Sequence, residues 1–200
     1  LEEEKFSSAM ANFAARASQG HIGRARHLAK SEEARTRRQA ILKISLLITD
    51  VASAFKAAQV LVEAAKAEAE EEAEKRDDAE LASLKEAWGQ QGSKLTQGGA
   101  KVVKDLEKEQ KSRTTRMVRD YLDRALLDIA TLYRDILLIQ ANSLDSTINT
   151  DLISEITKIS NSTTPEATLA KLEAIMSART NLSHNAAPLL TIEALMVSLK

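Results

Sequence analysis

Residue types that could do chemistry are few in this chain, and their spacing does not assemble them into a site. The imidazoles are His21, His27 and His184, and there is no cysteine. No pair stands in an HExxH frame or at another metal-closing spacing, so no transition-metal centre is expected. The lack of cysteine also removes disulfides, thiolate nucleophiles and sulfur-bound zinc. Gly92-Ser93-Lys94 is the nearest approach to a phosphate loop, but the GxxxxGK[ST] spacing is missing and no strand precedes it. Carboxylates are abundant, yet they fall on polar helix faces. None is placed by pattern in an apolar pocket of the kind that makes a general acid. Asn161 and Asn181 head N-x-S/T triplets, which carry no meaning in a cytosolic protein. Catalytic, cofactor-binding and metal residues are therefore all expected to be absent, and this stretch of chain reads as no enzyme in its own right.

What the polar residues do show is a segregation of charge. Residues 20–44 hold seven Lys/Arg against two Glu, which reads either as a phosphate-facing surface or as a solvated or intersubunit face. Residues 63–80 reverse the sign, with nine acids against three bases. The formal net charge of −1 thus hides opposed local patches.

These charges ride on helices. Six Gly, two Pro and 3% aromatic residues, against abundant Ala, Leu, Glu, Lys and Arg, bias the chain away from sheet. The organising stretch is 101–140, forty residues without Pro or Gly. Val118, Leu122, Ala125, Ile129, Leu132, Ile136 and Ile139 recur there every three or four positions, the spacing of one buried face. Between Lys104 and Arg116 Leu106 is the one large aliphatic, so that half is expected to project. Its mate is a long helix from about Leu47, striped by Leu47, Val51, Ala54, Phe55, Ala58, Leu61, Val62 and Ala65. Beyond Trp88 the stretch GQQGSKLTQGGAK reads as the turn. Folding about residue 94 sets Glu72 opposite Arg113, Arg116 and Arg119.

Shorter helices flank this pair. Phe6, Met10, Phe13 and Ala17 mark the first, GRARHLAK forms the second, and Ser31 caps a third that runs to about Ile44. After Gln140 a helix forms around Leu152, Ile153, Ile156 and Ile159. Thr163 and Glu166 read as a capping box around Pro165 for a helix burying Leu169, Leu172, Ile175, Met176 and Leu182. Pro188 opens a last helix that is apolar over most of its girth. The expected fold is all-α, a helical bundle with a long projecting antiparallel hairpin. No apolar run reaches the roughly 18 residues of a membrane span and no signal-peptide pattern opens the chain, so a cytoplasmic location is expected. Without an initiator Met, the start reads as the middle of a longer protein.

Three stretches carry a resemblance. ASQGHIGRARHLA resembles the last lid helices of an AAA+ module. EKEQKSRTTRMVRDYLDRALLDIATLYRDILLIQAN and EATLAKLEAIMSARTNLSHNAAPLLTIEALMVSLK resemble the C-terminal collar of the delta-prime family of bacterial DNA polymerase III clamp-loader subunits. The last is the most specific, with Asn185, Pro188 and Glu193 in an N-x-x-P-x-L-x-x-E frame. The resemblance implies residues 1–30 as the end of the lid and 31–200 as the collar, with an elaborated hairpin arm at about 66–116.

It further implies a role in DNA replication through oligomerisation. Partners would be the delta and gamma/tau ATPase subunits, with the sliding clamp and primed DNA reached only through the intact complex, itself part of a nucleotidyltransferase, and no membrane. ATPase relatives carry a Gly-x-x-Arg that senses nucleotide; here the frame is Gly20-His21-Ile22-Gly23 and Arg24 falls one position late, about 100° round a helix. No ATPase site is expected in this stretch. Subunit-interface candidates are Tyr133, Arg134, Arg179, Asn185, Leu189, Leu190, Glu193 and Met196. An alternative is a coiled-coil adaptor that binds a protein or nucleic acid through its charged arm.

Overall fold

The computed structural model describes residues 6–87 and 97–200. Among these residues the regular structure is entirely helical: α1 (Ser8–Ala17), α2 (Ile22–Lys30), α3 (Glu32–Leu46), α4 (Val51–Ala87), α5 (Gln97–Gln140), 3₁₀ turns at Leu144–Ser146 and Thr150–Leu152, α6 (Ile153–Ser162), α7 (Pro165–Ser183) and α8 (Pro188–Ser198). The expected turn and Trp88 lie outside the described residues, apart from the last positions of that stretch, which already belong to α5.

Side-chain caps fix several helix starts. The Ser7 hydroxyl accepts from Met10 N–H at 3.2 Å and the Ser31 hydroxyl from Ala34 N–H at 3.0 Å, each satisfying an orphan donor of the first turn. Two starts differ from the sequence reading. α4 begins at Val51 because Asp50 accepts from Ser53 N–H at 2.7 Å, while Ser53 Oγ accepts from Asp50 N–H at 2.9 Å. Leu47 becomes the C-cap of α3 and is 71% exposed. α7 is capped by Thr164, not Thr163, with Ala167 N–H donating to its hydroxyl at 3.2 Å.

α5 and α7 both end on an asparagine in the left-handed region, Asn142 at φ 58° and Asn185 at φ 64°. After Asn185 the chain closes a Schellman motif: Ala186 N–H donates to Asn181 C=O at 3.0 Å and Asn185 N–H to Leu182 C=O at 3.1 Å. Asn185→Gly is expected to hold or raise the melting temperature. Asn185→Val is expected to cost about 1–2 kcal/mol, because a β-branched side chain is strained at this φ. Thermal melts of the two variants check this, and equal melting temperatures would contradict it.

The chain divides into two compact units, residues 1–59 with 123–200, and residues 60–122. In the first, Leu42, Ile129, Leu132, Ile136, Ile156, Ile175, Leu182, Ile192 and Met196 are almost fully buried. Ala14, Ala17, Leu28, Ala29 and Ala34 pack with Ile148, and Phe6, Met10 and Phe13 lie against them. The α5 periodicity holds, with Leu122, Ala125, Ile129, Leu132 and Ile136 all buried.

Two expected faces hold in part. On α4 the expected Ala54, Ala58, Leu61, Val62 and Ala65 are buried and Ala57 joins them, while Val51 and Phe55 are exposed. On α7 the buried positions are Thr168, Ile175, Ala178 and Leu182, leaving Leu169 and Met176 half exposed. Phe55, Leu169 and Met176 each lie one helical step, about 100°, from a buried neighbour, Ala54, Thr168 and Ile175 respectively.

The second unit pairs the later part of α4 with the earlier part of α5, antiparallel. Its α4 side buries Leu61, Val62, Ala65, Ala69 and Ala73, so its buried apolar positions beyond Val62 are alanines. Polar contacts set the register. Arg113 pairs with Glu80, donating from Nη1 at 2.9 Å, and Tyr121 donates to Glu72. Gln110 Nε2 donates to Asp77 C=O at 3.0 Å. Glu72 therefore meets Tyr121 and not Arg113, because the Glu72–Tyr121 and Glu80–Arg113 pairs are both centred two to three residues beyond residue 94. Arg116 bonds back to Ser112 C=O within its own helix.

Candidate functional site

Asp128, Thr131 and Asp135 are buried polar residues on α5, in the run LLDIATLYRDILLIQ that otherwise reads as core. Asp128 accepts from Arg38 Nε at 2.8 Å and also from Arg24. Arg38 Nη2 continues to Thr131 Oγ1 at 3.1 Å and Asn149 Oδ1 at 2.7 Å. Asp135 is fully buried. Its Oδ2 accepts from Ile148 N–H at 2.9 Å, Asn149 N–H at 2.7 Å and Asn149 Nδ2 at 2.8 Å. This network binds α2, α3 and the 147–149 turn to α5. Burial pushes the Asp128 carboxyl up, while Arg38 and Arg24 pull against that push. The Arg38 guanidinium also stacks over Phe13, 5.8 Å from the ring centroid.

Arg24 is thus a structural residue bound to a buried carboxylate. Much of the basic excess in 20–44 is used the same way. Arg35 Nη1 caps the end of α2 through Leu28 and Ala29 carbonyls at 2.8 and 3.2 Å, and Arg37 pairs with Glu33 at 2.9 Å.

A groove of about 650 Å³ opens between α1, α5, the 145–148 turn and α7. Ile148, Leu172 and Met176 give it an apolar floor, with Arg16 and Arg134 at its edge. Arg16 Nη1 donates to Asp145 and Thr147 carbonyls at 3.4 and 3.3 Å, and Arg134 Nη1 to the intervening Ser146 carbonyl at 3.3 Å. Asp145 is the one carboxylate of its lining. Among the described residues no group of three or more His, Cys, Asp or Glu side chains could hold a metal ion, and no helix is long and apolar enough to cross a membrane.

The eight interface candidates separate by depth. Tyr133 and Met196 are interior, 6% and 0% exposed, and burial pushes the Tyr133 phenol up to about 12. Arg179 grips Asp123 with two bonds of 2.7 and 3.0 Å, and Asn185 makes the helix stop described above. Arg134 stands at the groove edge with one amine 3.3 Å from Asp135. Glu193 is half-buried, whereas Leu189 and Leu190 are 41% and 68% exposed. Leu169, Met176 and Val197 also remain exposed on α7 and α8, which pack against each other. For those on α8 the sequence signal is that helix's apolarity all round, since a helix with a single buried face has no use for it.

No protein-family model, curated protein or solved structure matches the chain. The site offers no nucleophile paired with a base and no metal cluster among the described residues. What it offers is surface: large aliphatic side chains left outside an otherwise well-filled helical core.

Proposed function

We propose that this chain is the C-terminal oligomerisation region of a bacterial clamp-loader delta-prime subunit, acting in DNA replication by joining the delta and gamma/tau subunits. The observation that carries the reading is the exposed aliphatic surface of α7 and α8, Leu169, Met176, Leu189, Leu190 and Val197. It falls within the stretch whose sequence most resembles the delta-prime collar. Solvent-facing aliphatic clusters of this kind mark association surfaces. In this reading residues 1–30 close an AAA+ lid, 31–200 form the collar, and clamp, primed DNA and ATP are engaged by the intact cytoplasmic complex. The chain contributes assembly and no catalytic residue.

A second reading, a helical adaptor acting through its charged hairpin, is favoured by the compactness of residues 60–122 as a unit of their own. Deleting residues 66–116 and rejoining the ends with a short turn separates the two. Under the collar reading the shortened chain is expected to keep the full-length chain's affinity for collar fragments within about threefold, a change well under 1 kcal/mol. Loss of all binding would favour the adaptor.

A further inference from the structure

The residue 60–122 unit carries an arrangement that the collar reading does not use. On α5, Lys101, Lys104, Lys108 and Lys111 are all exposed, at spacings of three, four and three residues. At about 100° per residue these positions fall on one face, roughly opposite Leu106, Gln110, Arg113 and Met117, which turn towards α4. The inward cation is answered: Arg113 pairs with Glu80 and lies near Asp77. The four lysines engage no carboxylate among the described residues. Asp105 and Glu107 border the row, one on each side, and limit its width.

Charge is also segregated along the hairpin sequence. Residues 63–80 carry nine acids and three bases, whereas 81–112 carry six lysines and four acids. On α4 the exposed residues Glu63, Glu70, Glu74 and Asp78 form an acidic row. A polyanion is therefore admitted to one face and repelled from the other.

We propose that the Lys101–Lys104–Lys108–Lys111 row is a docking surface for the phosphate backbone of duplex nucleic acid. Ten residues of helix span about 15 Å. Duplex DNA presents a phosphate charge about every 1.7 Å of axis, so several lie within reach of four flexible ammonium groups. Contact of this kind reads no sequence, and its affinity falls steeply with salt.

The test uses the full chain and a fluorescein-labelled DNA duplex of mixed sequence, followed by anisotropy. Four neutralised phosphates predict a salt slope near −3.6, hence about a hundredfold loss of affinity between about 50 and 200 mM NaCl. The K101Q/K104Q/K108Q/K111Q variant, with its helical circular-dichroism signal unchanged, is expected to lose at least tenfold in affinity at the lower salt. Neutralising two acids of the α4 row (E70Q/E74Q) is expected to strengthen binding. The proposal is overturned if the wild-type chain does not bind, or if the quadruple variant binds as well as wild type. It is equally overturned if poly-glutamate displaces the duplex at lower charge concentration than competitor DNA, since that would assign the row to an acidic protein surface.

Discussion

Asp128→Asn is expected to lower the melting temperature of the chain by about 6–20 °C. The substitution keeps the shape of the side chain, removes its charge and turns one acceptor oxygen into an NH2 donor. Arg38 is 4% exposed and would keep a buried cation without its carboxylate, and Arg24 would lose the same partner. Breaking one side of a buried ion pair costs about 3–5 kcal/mol, and in a chain of this length each kilocalorie moves the midpoint by about 2–4 °C. The network makes the effect non-additive. Arg38→Gln placed on top of Asp128→Asn is expected to cost less than Arg38→Gln alone, with a coupling of about 1–3 kcal/mol. Thermal denaturation of the two single variants and the double measures both quantities. A shift of under 3 °C for Asp128→Asn would show that the pair carries no net charge interaction.

Leu190→Glu combined with Val197→Glu is expected to weaken association with partner collars at least thirtyfold while leaving the helical fold and its melting temperature nearly intact. Both side chains already face solvent, 68% and 37% exposed, so a charge there meets water in the free chain. In an assembly the same charge is forced into an apolar contact or keeps that contact from closing. Buried contacts at the centre of an interface carry about 2 kcal/mol or more each, and 2 kcal/mol corresponds to roughly thirtyfold in affinity. Ile192→Glu is the informative contrast. Ile192 is fully buried, so that variant is expected to unfold the chain and not merely to block assembly.

Much of the fold was legible because it rests on periodicity. The row from Leu122 to Ile136 is buried as its spacing requires, Ser31 and Pro188 start the helices they were expected to start, and the opposed charges of the hairpin do meet. The errors share a physical cause. In the expected α4 stripe Ala54, Ala58, Leu61, Val62 and Ala65 are buried, whereas Leu47, Val51 and Phe55, also set four residues apart, are exposed; close helix packing took the alanines beside the larger side chains. Leu169 and Met176 were misplaced in the same way, by one step around α7.

The buried network was illegible for a different reason. Asp128, Thr131 and Asp135 look like ordinary polar positions until their partners Arg24, Arg38 and Asn149 arrive from distant parts of the chain. The signal that could have found them is their setting, polar residues inside the apolar run from Leu126 to Ile139. The Schellman role of Asn185 was hidden behind the N-x-x-P frame that suggested an interface.

In the proposed function this chain is an assembly module. Its most direct test mixes the purified chain with collar fragments of clamp-loader delta and gamma/tau subunits at about 10 μM each and measures mass by light scattering across a sizing column. Micromolar or tighter association predicts an earlier peak whose mass is the sum of its parts. Separate elution of every component at its own mass would contradict the account.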